Sequence, residues 1–203
     1  EFRRVLFRSP LDQYAFEIKT FTNCELANLQ DMISECETKK TKAKAVIAGL
    51  VTSYKAFNTK TGQPASKTTI EDYSGSYEIA LFGKEHETYM SYMQMVHSAL
   101  YIEGEIRERY SLKPEERAQG KVAPYAFKIK KIMLLGNVSN SLLHNFTLEI
   151  TTPMLSDSFR KSLVSMIRTN AGNIPLSMVL YDPKTEYRID FLSRKFKVAV
   201  TST

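Results

Sequence analysis

The residues that could do chemistry in this chain fall into two groups: carboxylates with histidines, and aromatics interleaved with cations. Metal-assisted phosphoryl chemistry needs two or more carboxylates converging on a cation. The adjacent pairs are Glu71-Asp72 and Glu115-Glu116. Glu71 and Asp72 close a strand-like run, where neighbours point to opposite faces and cannot readily share a metal. Glu115-Glu116 sits in a polar loop and is expected to be solvated. Of the three histidines, His86 is expected on the polar side of a helix and His97 at a helix-to-strand junction. His144 falls on an apolar strand face, which favours a hydrogen-bonded core histidine over a metal ligand. Cys24 and Cys36 have neither metal-ligand nor redox spacing, which suits a reduced, cytoplasmic chain. No glycine-rich phosphate loop, nucleophile elbow or CxxC occurs. The expectation is a segment with no catalytic residue, no metal site and no cofactor.

The second group suits a different task, holding an unpaired nucleic-acid strand by ring stacking and backbone cations. The candidate stackers are Tyr54, Phe57, Tyr77 and Tyr110. The candidate phosphate contacts are Lys55, Lys60, Lys67, Arg107, Arg109, Lys128 and Lys130. Each has a plain alternative, because surface lysine is ordinary and a strand tyrosine usually packs. The net charge of +6 permits an anionic partner without identifying one. From Lys44 to Leu135 there are 13 basic and 10 acidic residues, a balance of only +3. Glu71 and Glu78 are expected to face outward on neighbouring strands and to repel phosphate there. Strand binding is therefore expected to be weak.

The elements that must position these residues read as two units. Residues 1–9, Glu-Phe-Arg-Arg-Val-Leu-Phe-Arg-Ser, resemble the translation of a sequencing-library adapter and are set aside; the natural chain is then expected to begin upstream. Residues 10–43 read as a helical lead-in and linker. Asn23 is the expected N-cap, Leu26, Leu29 and Ile33 have helical spacing, and a polar Glu37-to-Lys42 link follows. From Lys44 to Leu135 the order is strand (45–57), strand (68–73), strand (77–82), helix (84–96), strand (99–110), strand (125–135). Gly49 is expected to bend the first strand, and Ser74-Gly75 to turn a hairpin with Ile70 and Ile79 facing the core. A polar loop with Pro114, Gly120 and Pro124 separates the last two strands.

Three strands, a helix and two strands is the order of an OB-fold, a five-stranded barrel. Residues 136–203 read as a small α+β module: a strand over 142–150, a helix over 156–169 and strands at 176–181 and 187–192, with a turn at Asp182-Pro183-Lys184-Thr185. The fold class expected is mainly β with α+β. With 43% apolar and 25% charged residues the composition is that of a globular chain. No apolar run nears the roughly 18 residues of a membrane helix.

Several stretches are familiar in combination. Residues 10–18 (Pro-Leu-Asp-Gln-Tyr-Ala-Phe-Glu-Ile), Ile47-Ala48-Gly49-Leu50-Val51, the hairpin Thr69-Ile70-Glu71-Asp72-Tyr73-Ser74-Gly75-Ser76-Tyr77-Glu78 with Leu81-Phe82-Gly83, and residues 193–198 resemble the C-terminal region of the alpha subunit of bacterial DNA polymerase III, in its Bacteroidetes-type form. The resemblance spans about Pro10 to Val198. It implies that the parent chain is a DNA-directed DNA polymerase, a nucleotidyltransferase of DNA replication whose catalytic domains lie outside this segment. It further implies an OB-fold over 44–135 that contacts single-stranded template DNA, and a module over 136–203 that docks on the clamp-loader tau subunit among other replisome partners. No glutamine-led sliding-clamp motif appears, so clamp contact is not carried over. The alternative reading is a free-standing OB-fold RNA- or tRNA-binding accessory protein, which the same strand order would serve.

Overall fold

The computed structural model describes residues 9–111, 115, 119 and 123–200, so residues 1–8, most of the loop with Pro114, Glu116 and Gly120, and residues 201–203 lie outside the described residues. The chain divides into two compact units, residues 1–136 and 137–203.

The first unit opens with a helical turn and α1 (Ala15–Phe21), followed by α2 (Leu26–Lys39). Leu26, Leu29, Ile33 and Cys36 form one buried stripe of α2, at the spacing an amphipathic helix requires. The helix runs to Lys39 and ends at Lys40 in the left-handed region (φ 53°), so half of the expected polar linker is its last turn. Asn23 is not the N-cap. Its side chain accepts the Val46 N–H at 2.7 Å and donates to the Lys44 carbonyl at 3.1 Å, pinning the next strand. The N-terminus of α2 is held from elsewhere, as described below.

Five antiparallel strands follow: β1 (Ala43–Asn58), β2 (Pro64–Glu71), β3 (Ser76–Phe82), then α3 (Lys84–Met93), β4 (Ala99–Glu108) and β5 (Tyr125–Leu134). Their order in the sheet is β3-β2-β1-β4-β5. β1 is long enough to pair with β4 through its first half and β2 through its second, Leu50 being shared by both ladders. Gly49 sits where β1 passes closest to β2: a Cβ there would lie 2.5 Å from Ile70 Cγ2 and 2.8 Å from the Glu71 carbonyl oxygen. The core joins α2 to the sheet, with Leu29, Ile47, Ile70, Leu100, Ile102 and Ile106 fully buried.

The sheet does not close into the barrel expected from the sequence, because no ladder joins β3 to β5 among the described residues. β5 shifts register by one residue opposite Glu103 and Gly104. At this bulge the Ile129 and Lys130 carbonyls take the Tyr89 hydroxyl of α3 as donor, at 3.4 and 3.2 Å. Between the two free edges lies a cavity of about 170 Å³, lined by Tyr77 to Phe82 on one side and Ala126 to Ile129 on the other.

The second unit begins with α4 (Val138–Leu142), then β6 (Phe146–Thr151), α5 (Asp157–Thr169), β7 (Ala171–Tyr181) and β8 (Arg188–Val198). β6 and β7 are parallel and joined through α5, and β8 returns antiparallel along β7. Ser156 caps α5 by accepting the Phe159 N–H at 3.1 Å. Ile167 of α5 packs with Ile174, Leu176 and Val198. The strand expected from Leu142 starts only at Phe146, since α4 ends at Leu142 and residues 143–145 belong to neither element, and His144 is exposed rather than buried. The last two strands are longer than expected because β7 and β8 keep pairing through two register shifts. Two sheets with flanking helices make the chain a strand-rich α+β protein.

Candidate nucleic-acid interface

Strand alternation assigns each candidate on β1, β2 and β3 to a face. The rows Tyr54–Thr68–Ile79 and Val51–Ile70–Tyr77 point to the core, with Thr68, Ile79, Val51 and Ile70 all buried. Tyr54 and Tyr77 therefore pack against the core cluster. Burial raises the Tyr77 phenol above its ordinary range.

The opposite face carries three rows: Phe57–Ala65–Phe82, Lys55–Lys67–Ala80 and Ser53–Thr69–Glu78. The two phenylalanine rings meet edge to face over Ala65, with centroids 6.4 Å apart at 86°. Ala65 is 1% exposed beneath them, small enough to let rings from two strands meet above it. The Arg109 guanidinium carbon lies 5.6 Å from the Phe82 ring centre, within cation–π reach. The Arg109 backbone N–H is fixed by the Pro124 carbonyl at 2.8 Å.

Phe82 was not among the candidate stackers. The signal for it was available: Glu78 faces outward, and an even step of four along the same strand puts Phe82 on the same face. Tyr110 is 55% exposed just beyond β4, and Lys60 is exposed in the turn after β1.

Of the two glutamates expected to face outward, Glu78 takes up a candidate cation, and Glu85 and Glu105, which were not among them, take up two more. Lys67 Nζ donates to Glu78 at 2.7 Å, Lys128 to Glu85 at 3.0 Å and Lys130 to Glu105 at 3.1 Å. The hydrogen bond from Lys130 holds the Glu105 carboxyl below its usual range, and Arg107 adds to the same field. Lys44 is likewise held to Glu103, at 2.7 Å. Lys55, Lys60 and Arg109 have no such ion pair among the described residues. The structure thus brings Lys55, Phe57, Lys67 and Arg109 together on one face, and places Lys128 and Lys130 in ion pairs on β5.

The hairpin turn that carries the Glu71-Asp72 pair has a structural task. Asp72 Oδ1 accepts the N–H groups of Ser74 and Gly75, at 2.7 and 3.0 Å, and the Ser74 hydroxyl at 2.6 Å. Asp72 Oδ2 accepts the Leu26 N–H at 2.8 Å, and Ser74 Oγ accepts the Ala27 N–H at 3.1 Å. These two bonds satisfy the open first turn of α2, which local sequence left uncapped. Tyr73 completes the clasp by donating its hydroxyl to Asp12 at 2.7 Å. His86, expected on the polar side of α3, is buried and shares a 2.9 Å hydrogen bond with Ser66. Its helix face is turned toward β2, whose interior residues include polar Ser66 and Thr68. No three His, Cys, Asp or Glu residues among those described are grouped to hold a metal ion. No described helix is long and apolar enough to cross a membrane.

Comparison with known proteins places this geometry in a context. Residues 146–203, the second unit from β6 onward, match the family model of the DNA polymerase III alpha subunit, C-terminal domain. Most of the chain is similar to three curated proteins named DNA polymerase III subunit alpha. That of Pseudomonas fluorescens is 20% identical over 182 residues, covering 90% of this chain and 14% of that protein. That of Vibrio cholerae is 20% identical over 195 residues, covering 96% and 15%. That of Pseudomonas aeruginosa is 20% identical over 169 residues, covering 83% and 13%. The chain thus spans about one seventh of the length of the relatives it matches. Together these similarities support the DNA polymerase III alpha family.

Proposed function

We propose that this chain is the C-terminal part of a replicative DNA-directed DNA polymerase, the alpha subunit of a Bacteroidetes-type DNA polymerase III, working in the cytoplasm. The observation that carries the reading is the similarity to DNA polymerase III alpha over 96% of this chain in one relative and 90% in another, joined by the family match over 146–203. In this reading the segment itself does no nucleotidyl transfer. The first unit is an OB-fold left open between β3 and β5, supported by the strand order and by α3 between the third and fourth strands. Its outward face contacts single-stranded DNA, and the second unit docks on the clamp-loader tau subunit.

Fluorescence anisotropy of a labelled single-stranded oligonucleotide against the chain, repeated across salt concentrations, tests the DNA contact. Micromolar binding that weakens by about 0.7 log unit per phosphate contact for each log unit of salt supports it. Absence of binding at low salt removes the template role. Size-exclusion chromatography of the chain with the clamp-loader tau subunit tests the docking role, and separate elution of the two removes it.

A further inference from the structure

We propose that the outward face of the first unit holds single-stranded DNA chiefly by stacking an unpaired base on the Phe57–Phe82 pair, with the Arg109 guanidinium as its bridge, rather than by neutralising phosphates. The inference rests on the reading of this unit as strand-binding, and it names the site and the mode of binding within it.

Three observations lead there. The first is charge: three of the seven basic candidates, Lys67, Lys128 and Lys130, already hold a glutamate within 3.1 Å. A phosphate would have to displace that carboxylate and repel it at close range. Purely electrostatic capture is correspondingly weakened at Lys67 on this face and at Lys128 and Lys130 on β5.

The second is the aromatic pair itself. Phe57 and Phe82 stand two strands apart but meet, because Ala65 between them carries only a methyl group. Phe82 keeps 36% of its surface in solvent although it is a large apolar residue at a sheet edge. A pair of rings fixed by the sheet loses little freedom when a base settles on it. Every base has a π-face, so such a platform is tolerant of sequence.

The third is Arg109. It stands over Phe82 with no ion-pair partner among the described residues, and it lines the cavity between β3 and β5 together with Phe82 and Phe127. A guanidinium plane can stack on a base while its N–H groups reach a phosphate or a base edge. Lys55 lies one row away on the same face, placed to meet the adjoining backbone.

The test uses the whole chain and two probes of about 15 nucleotides, fluorescein-labelled oligo(dT) and an oligonucleotide carrying one 2-aminopurine, a length that covers a typical single-strand site. Phe82→Leu is expected to weaken binding roughly tenfold and to abolish the quenching of 2-aminopurine, with the salt slope unchanged. Phe82→Tyr retains the ring and is expected to bind as the unsubstituted chain does. Arg109→Gln is expected to weaken binding less and to lower the salt slope by about 0.7. Phe57→Leu reads the other ring, so the platform is still tested if Phe82→Leu melts early by circular dichroism.

If both leucine variants bind and quench as before while Lys55→Gln and Lys60→Gln abolish binding, the platform is overturned and strand binding stands. If the unsubstituted chain binds neither probe at low salt, the strand-binding reading fails and the platform with it.

Discussion

The two ends of the β2–β3 hairpin are built from the same strands and do opposite things. At the turn, Asp72 and Ser74 spend every short hydrogen bond inward, on their own loop and on the first turn of α2. At the open end, Phe82 stays partly in solvent beside Phe57 and Arg109. At the turn both Asp72 carboxylate oxygens are already taken by hydrogen bonds. The far end has rings and a guanidinium whose partners are weak and replaceable. The most recognisable stretch of this sequence is therefore a clasp. The residues suited to binding lie at the other end of the same strands.

Four measurements would break or sharpen that contrast. The largest effect is expected for Leu29→Ala. Leu29 is fully buried in the core that α2 shares with the sheet, so the substitution should cost about 2–5 kcal/mol of stability. Chemical denaturation should then show α2 and the strands unfolding in one transition. A separate early loss of helical signal would mean that the clasp does not make them one cooperative unit.

Asp72→Ala comes next. It removes a helix cap and the acceptor of the turn together, and about 1–3 kcal/mol should be lost. The melting temperature should fall while oligonucleotide affinity, normalised to folded protein, stays the same. A matching loss of affinity would join the two ends functionally and end the contrast.

Glu78→Gln should act at the open end alone. It frees Lys67 from its 2.7 Å partner and removes a negative charge from the outward face. Single-strand affinity at low salt should rise about twofold to fivefold, the scale of ~0.5–1 kcal/mol for an exposed pair, while stability changes by less than ~1 kcal/mol. Lower affinity would show that the glutamate organises the face rather than obstructing it.

The smallest effect belongs to Asp182, which holds its own turn between β7 and β8 and reaches only one described residue outside it, Thr152. The Lys184 N–H donates to it at 3.0 Å and the Thr185 hydroxyl at 2.8 Å, with Thr152 adding a third bond at 3.2 Å. The backbone bond from Lys184 and then the Thr185 hydroxyl hold its carboxyl below the usual aspartate range. A depressed folded pKa stabilises the fold above the unfolded value, and that contribution disappears as pH falls through the folded one, below about pH 4. Carboxyl NMR titration should find Asp182 among the lowest aspartates, and Asp182→Asn should flatten the acid limb of the stability curve slightly. An ordinary titration for Asp182 would mean that this turn does not depend on its charge.

Much of the fold could be read locally. The stripe of Leu26, Leu29 and Ile33 marked the buried face of α2, and alternation placed Ile70 and Ile79 inward and Glu78 outward. The same alternation, carried four residues on, points to Phe82, so part of the candidate face was legible too. Gly49 was expected to bend β1, but the irregularity of that strand falls between Val51 and Ser53, and at Gly49 the neighbouring strand is too near for a Cβ. His86 could not be read this way. Its helix face looked polar, yet it turns toward a strand whose buried residues include the hydroxyl of Ser66, to which His86 bonds.

The sequence by itself determined which side of each strand and helix is apolar, because side-chain direction repeats with a fixed local period. It also carried the family similarity, which is a property of residue order. Only the tertiary structure decided how the polar groups are partnered. Asp72 caps a helix 46 residues away, Tyr89 donates to carbonyls of the β5 bulge, and Lys67, Lys128 and Lys130 are each held by a glutamate. Such pairings depend on which strands become neighbours and in what register, and no local period encodes that.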